Sequence, residues 1–293
     1  MDYIKRYTKF LNQFLDLQEK VKVVFDCSDG STGIVVRELF ENHPHVDAVF
    51  INDEPNGDFP AHGPNPLSTQ AKESLAKEVQ KEKADLGVVF DGDGDRVFFF
   101  DEKGDWMDSY RTFSCIKDNF KPPYILDVRA LAALTMPDVD VIEERVGRYF
   151  IINTMKDKQA ELGVEYSGHY YFKDFFYSDS GILAAIHMIN YVSDLKAKGK
   201  TLESVLKENS GYIRLEETNF TVKDTEEMIE KVKERFKKED VTISTLDGVT
   251  VQGEDFALNM RASATEPLVR FSMAASHQDV LEKYLKEVKL LIH

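Results

Sequence analysis

The stretch VVFDGDGDRVFFFD, residues 88–101, sets Asp91, Asp93 and Asp95 at every second position between two apolar runs. LGVVF (86–90) is a short continuous apolar run of the kind found in strands buried on both faces, and VFFF (97–100) reads as a strand on the far side. Three carboxylates on one tight loop repel each other. At 4 Å, two unit charges repel by about 1 kcal/mol in water and by about 4 kcal/mol near a protein surface. A cation among them removes that cost, and oxygen ligands of this kind suit a hard divalent ion such as Mg2+. Gly92 and Gly94 let the backbone curl so that alternate side chains converge. Arg96 follows at once, and an arginine beside a metal suggests an anionic ligand meeting both, as in phosphoryl transfer.

Two rival readings of the loop are weaker. Asp91, Asp93, Asp95 and Glu102 fall at positions 1, 3, 5 and 12 of an EF-hand calcium loop. Position 6 of that pattern needs glycine and here is Arg96, and the flanks are strands where an EF-hand needs helices. A solvated acidic turn would leave three aspartates between buried strands without compensation.

Working outward, Ile4, Tyr7, Leu11, Phe14 and Leu15 make a one-face apolar pattern and read as an opening helix. VKVVFD (21–26) reads as a strand, CSDGSTG as a turn and IVVRELFENH as a helix. A further helix runs from about Ser68 to Ala84, with Ala71, Leu75 and Val79 at spacing four. DEKGD (101–105) is a turn signal that marks a change of composition. Beyond it PYILDV, DVDVIEE and EYSGHYYF read as strands, and residues 180–199 as a buried helix. The last segment opens with a strand about IRLEETNF. A helix capped by Asp224, two strands and a closing helix from Ser276 follow. Alternating strands and helices argue for α/β layers through the first two thirds, with a small α+β domain at the end.

With 42% hydrophobic and 30% charged residues the composition is that of a globular chain, and 293 residues suggest two or three domains. No apolar run reaches the roughly 18–20 residues of a membrane helix, and no signal peptide is legible, so the cytoplasm is expected, with no membrane partner. A net charge of −15 argues against nucleic acid as a partner, although local basic groups can still bind a small anion. Cys27 and Cys115 do not suggest a disulfide framework.

DGDGDR after a buried strand resembles the metal loop of the α-D-phosphohexomutases, the phosphomannomutase/phosphoglucomutase family. Three further stretches match in the family's order. FPAHGPNP (59–66) is similar to a loop that precedes the metal loop, EYSGHYYF (165–172) to the sugar-binding loop, and RASATEPLVRF (261–271) to the phosphate-binding loop. The resemblance implies that Asp91, Asp93 and Asp95 hold Mg2+ and that Arg96 lies by the catalytic phosphoserine. Glu165 and Ser167 would bind sugar hydroxyls, and His169 would assist proton transfer. Arg261, Ser263, Thr265 and Arg270 would bind phosphate, through planar guanidinium forks and hydroxyl donors. Ala264 stands where the family usually has Asn or Gly. Arg148, in VGRYFIINTM, stands where many relatives have histidine or aspartate, and could serve as another substrate contact. SDSG (178–181) replaces a more acidic turn.

The family has four domains, and its first carries the serine that is phosphorylated, in a TASHNP-like loop. The present sequence begins about where the second domain begins, so it is expected to be truncated, lacking that domain. AASHQD (274–279) is the nearest match to the serine loop, but Ser276 precedes Asp279 at capping-box spacing and reads as a helix cap. Ser28 and Ser31, after the first strand, are candidates for another phosphate acceptor. The resemblance thus implies two α/β/α three-layer domains (1–103, metal; 104–209, sugar) and a smaller α+β domain (210–293, phosphate) with a fold like the TATA-box-binding protein. It implies interconversion of hexose 1- and 6-phosphates of glucose or mannose through a hexose 1,6-bisphosphate. Activity is expected to be impaired by the absence of the phosphoserine domain. The alternatives are a non-catalytic hexose-phosphate-binding or regulatory protein, or a subunit that needs a separate phosphoserine domain. The protein partner expected is that domain or a second copy of the chain in a homo-oligomer.

Overall fold

The computed structural model describes residues 2–208, 211–263 and 266–292. They form two compact units, Met1–Lys121 with Tyr166–Asn209, and Pro122–Glu165 with Ser210–His293.

The chain opens with α1 (Tyr3–Asn12), capped by Asp2, and continues through β1 (Val21–Asp26), α2 (Thr32–Phe40) and β2 (Val46–Ile51). Then come α3 (Thr69–Glu82), β3 (Leu86–Phe90), β4 (Val97–Phe100), β5 (Trp106–Met107) and α4 (Ser109–Ile116). These strands form one sheet in the order β2-β1-β3-β4-β5. β1 runs parallel to β2 and β3, whereas β4 turns back antiparallel to β3, with Phe90 opposite Val97. Residues 91–96 are therefore a hairpin loop between strands buried at every position. No helix flanks it, which removes the EF-hand reading. Leu75 and Val79 of α3 pack on Val24, Val89, Phe98 and Phe100, as the spacing of four predicts. The turn 101–105 joins β4 to β5, and Asp101 binds the backbone N–H groups of Lys103 and Asp105.

The second unit begins with β6 (Tyr124–Asp127), α5 (Ala132–Thr135), β7 (Val141–Glu144), α6 (Arg148–Lys158) and β8 (Leu162–Val164). β6 runs parallel to both β7 and β8, and α6 packs on all three. The chain then returns to the first unit as β9 (Tyr170–Phe172), β10 (Ser178–Asp179), α7 (Gly181–Ala197) and α8 (Leu202–Glu208). EYSGHYYF is strand only from Tyr170 onward, because Gly168 adopts φ +92° and turns the preceding residues into a loop. α7 is capped by Ser180, buried along most of its length, and packed on β1, β3 and β4.

The remaining elements are β11 (Ile213–Thr221), α9 (Thr225–Phe236), β12 (Thr242–Ser244), β13 (Val249–Gln252), β14 (Phe256–Ala262), β15 (Leu268–Ala275) and α10 (Gln278–Ile292). They make an antiparallel sheet, β11-β15-β14-β13-β12, over a core shared with Met228, Val232 and Phe236 of α9 and Leu281 and Val288 of α10. Asp224 caps α9 as expected, through the N–H groups of Glu226 and Glu227. Four strands, not two, lie between α9 and the closing helix. Nor does Ser276 cap that helix: α10 starts at Gln278, and the Ser276 hydroxyl bonds Asp255 at 3.3 Å. Leu131 and Leu134 pack on Ala257 and Ala274, which joins the β6 segment to the last sheet. The architecture is the expected one, α/β layers followed by a smaller α+β sheet. Among the described residues no helix is long and apolar enough to cross a membrane.

Candidate functional site

The loop 91–96 brings Asp91, Asp93 and Asp95 together, with one carboxylate oxygen from each within 4.8 Å of the others. Asp91 is buried at its root. Its Oδ1 accepts the N–H groups of Gly94 (2.9 Å) and Arg96 (3.2 Å), and its Oδ2 accepts Arg96 Nε at 2.6 Å. Burial pushes the Asp91 carboxyl up to about 6, against the opposing pull of the Arg96 guanidinium. Asp93 is exposed and Asp95 half-buried, so the group faces outward. Such a donor set fits a hard divalent cation.

Neighbouring backbone fixes the loop. Ser31 N–H donates to Gly92 O at 3.0 Å, and Gly181 N–H, at the start of α7, donates to Gly94 O at 3.2 Å. Gly94 lies at φ +76°, and a Cβ there would meet Thr32 Cγ2 at 2.0 Å, so glycine is required on both counts. Val97 N–H donates to Gly168 O at 3.1 Å, and Arg96 and His169 form a single antiparallel bridge. The bridge delivers His169 to the metal loop: its Nε2 is 3.6 Å from Asp95 and 3.9 Å from Asp179, and its Nδ1 is 2.9 Å from Ser167 Oγ. Thus Asp91, Asp93, Asp95, Arg96, Ser167 and His169 gather in the first unit. Asp179, from SDSG, joins them through His169. Asp95, His169 and Asp179 share a ligand-like spacing of their own. Ser28 is not an available acceptor: it is fully buried and its hydroxyl donates to Phe90 O at 2.5 Å.

The other candidates belong to the second unit. Glu165 is buried and accepts the N–H of Gly147 at 2.7 Å, which sets it beside the first turn of α6 and so beside Arg148. Arg261 (β14) and Arg270 (β15) stand opposite each other in the sheet register. Both donate to Glu217, each at 3.3 Å, and Arg129 reaches the same carboxylate at 3.5 Å while forming a two-pronged pair with Asp127. Glu217 lies where the β11–β15 register shifts, and such irregularities re-aim side chains. The Nε of Arg261 and of Arg270 is buried without a hydrogen-bond partner among the described residues. Two unsatisfied cationic donors suit an oxyanion. Ser263 continues the strand end at β14, its N–H on Leu268 O. Thr265 and Ala264 lie outside the described residues. Sequence reasoning missed Glu217 and Arg129, which no local motif marks.

Residues 1–104 match the model of phosphoglucomutase/phosphomannomutase alpha/beta/alpha domain II, and residues 131–211 that of domain III. The chain is 35% identical to a phosphomannomutase of Methanocaldococcus jannaschii, over all of this chain and 66% of that protein. It is 31% identical to a phosphomannomutase of Escherichia coli K12, over 86% of this chain and 58% of that one. The chain therefore spans about two thirds or less of these relatives. Among solved structures, a phosphoglucomutase/phosphomannomutase family protein of Burkholderia thailandensis aligns over 99% of this chain and 64% of its own, with TM-score 0.85 and 22% identity. The N-acetylphosphoglucosamine mutase of Aspergillus fumigatus, solved with GlcNAc-6P and magnesium, aligns over 99% of this chain and 65% of its own, with TM-score 0.65 and 15% identity.

Proposed function

Because the chain belongs to the phosphoglucomutase/phosphomannomutase family, we propose that it serves Mg2+-dependent phosphoryl transfer between the 1- and 6-positions of a hexose phosphate, of glucose or mannose, in the cytoplasm. One observation carries this reading: three carboxylates within 4.8 Å of one another, beside Arg96 and His169. Asp91, Asp93 and Asp95 would hold the ion, which when bound neutralises charge on the transferring group. Arg96, whose Nε donates to Asp91, would meet the phosphoryl oxygens with the rest of its guanidinium. His169, steered by Ser167 and Asp179, takes or returns the hydroxyl proton. Glu165, with Ser167 and Arg148, orients the sugar. Arg261 and Arg270, with Ser263 and Thr265, hold the phosphate that is not reacting, a role supported by their unsatisfied Nε groups. The covalent phosphate carrier falls outside the roles assigned to these residues; a separate phosphoserine domain or a hexose 1,6-bisphosphate supplies it. The same reading divides the chain at 1–103, 104–209 and 210–293, which the matches to two successive family domains support.

The test is a coupled assay of the 293-residue chain with glucose 1-phosphate, Mg2+ and glucose 1,6-bisphosphate, with and without an added phosphoserine domain. Turnover that Asp93→Asn abolishes is expected. No turnover in either condition, together with no rise in Tm from glucose 1-phosphate, would sink the proposal.

A further inference from the structure

We propose that the buried Asp26–His62 pair is a positioning device for the metal loop, fixing Gly92 and with it the spacing of Asp91 and Asp93. The inference rests on the reading of those aspartates as metal ligands.

Neither residue has a part in the chemistry above, yet both side chains are sealed from solvent, at 0% and 1% exposure. Asp26 ends β1. Its Oδ1 accepts the backbone N–H of Ser28 and the side-chain amide of Asn52, each at 3.0 Å, and its Oδ2 lies 3.0 Å from His62 Nε2. The other ring nitrogen of His62 is 3.0 Å from Gly63 O. A ring with an acceptor at each nitrogen donates from both, so the pair is a charge-assisted tie and not a packing contact.

The tie links two segments that close on Gly92 from different directions. From one come Phe59 and Pro64: a Cβ on Gly92 would meet Phe59 Cε1 and Pro64 Cβ at 3.1 Å. From the other comes the turn after β1, where Ser31 donates to Gly92 O, and a Cβ on Gly30 would lie only 2.4 Å from that oxygen. Asp26 holds the start of the turn with one oxygen and the 59–64 loop with the other. A second tether joins the same segments, from Ala61 N–H to Asp29 Oδ2 at 3.0 Å and from Asn56 N–H to Asp29 O at 2.8 Å. Without the His62 link that tether is the loop's remaining tie to the turn among the described residues. Its bonds from Gln70 Nε2 to Ala61 O (2.8 Å) and from Ser68 Oγ to His62 O (3.5 Å) lead to α3 instead, so Phe59 and Pro64 drift from the turn and Gly92 is gripped from one side. Asp91 and Asp93, which flank it, then lose the spacing that a cation needs before it arrives.

The experiment compares His62→Gln with His62→Asn in the 293-residue chain. The Gln amide reaches as far as Nε2 and keeps a donor on Asp26; the Asn amide reaches only as far as Nδ1 and loses it. Mn2+ binding is measured by electron paramagnetic resonance, and amide hydrogen exchange across residues 88–97 is measured without metal. For His62→Asn we expect about tenfold weaker Mn2+ binding, the lower end for lost supporting contacts, and faster exchange in that peptide, with β14 and β15 unchanged. His62→Gln should stay near wild type on both. His62→Asn with wild-type Mn2+ affinity and loop exchange, whatever its Tm, would overturn the proposal and leave a plain core contact. Equal Mn2+ binding by wild type and Asp93→Asn would instead remove the metal reading, and this inference with it.

Discussion

In the loop 91–96 three like-charged carboxylates are held by backbone, whereas around Glu217 three guanidiniums converge on one side chain. The loop receives N–H groups from Ser31 and Gly181 and folds two of its own onto Asp91. Its shape is thus built into the hairpin before any ligand arrives. The arginine cluster depends on long side chains and 3.3 Å contacts, and it leaves two buried donors unanswered. Backbone scaffolding tolerates the loss of a single charge. A pair of cations balanced by one carboxylate does not, because removing that carboxylate strands Arg261 and Arg270 at once.

The largest effect should therefore come from Glu217→Ala, which leaves Arg261 and Arg270 without their shared counter-charge and Arg129 with Asp127 alone. Stability is expected to fall by about 2–3 kcal/mol, less than the 3–5 kcal/mol typical of a broken buried pair because the contacts are long. Urea unfolding measures it, and a loss below about 0.5 kcal/mol would break the comparison. Next, Asp93→Asn should leave the urea midpoint almost unchanged yet weaken Mn2+ binding at least tenfold, about 1.4 kcal/mol. A drop in stability as large as that of Glu217→Ala would mean that the loop, too, depends on its charges.

The two regions should also part company with pH. The Asp91 carboxyl titrates at about 6 in the folded, metal-free chain, above the roughly 3.9 of an unfolded aspartate. This group therefore makes the metal-free fold less stable above pH 6, and that penalty fades as pH falls through 6 toward 4. A cation needs the ionised form, so Mn2+ affinity should fall up to tenfold per unit below pH 6. Sulfate binding at the arginines should change less over that range, since guanidinium stays charged. The smallest effect serves as a control outside both regions: Ser276→Ala should cost under about 0.5 kcal/mol, because Ser276 is not the cap of α10. A cost near 1 kcal/mol, typical of a lost cap, would restore that role.

Period and punctuation made the local elements legible. The buried runs either side of the aspartates, the spacing of four in α3 and the cap Asp224 all act over a few residues. What failed depended on distant partners. Residues 165–169 looked extended, but the turn at Gly168 packs on Phe98, and Glu165 is claimed by Gly147. β12 is three residues long, too short to show a period. Glu217 stands in a run of acidic residues, and only the shift in strand register aims it at the arginines. Ser276 had a capping-box spacing, yet the neighbouring strand turn offered Asp255 instead.

Helix α7 ties the aspartate hairpin to the order of synthesis. Its first residue, Gly181, holds Gly94; near its other end Lys196 pairs with Asp85 across 111 residues of chain, and Ser193 accepts from and donates to Glu19 across 174. A ribosome that has made β1 through β5 has made every ligand of the candidate cation site but not the rod that closes on it. Until α7 has emerged, the hairpin has strands without their buried cover, and its apolar faces are open to chaperones. The acidic loop is complete as sequence early in translation, and as a structure only late.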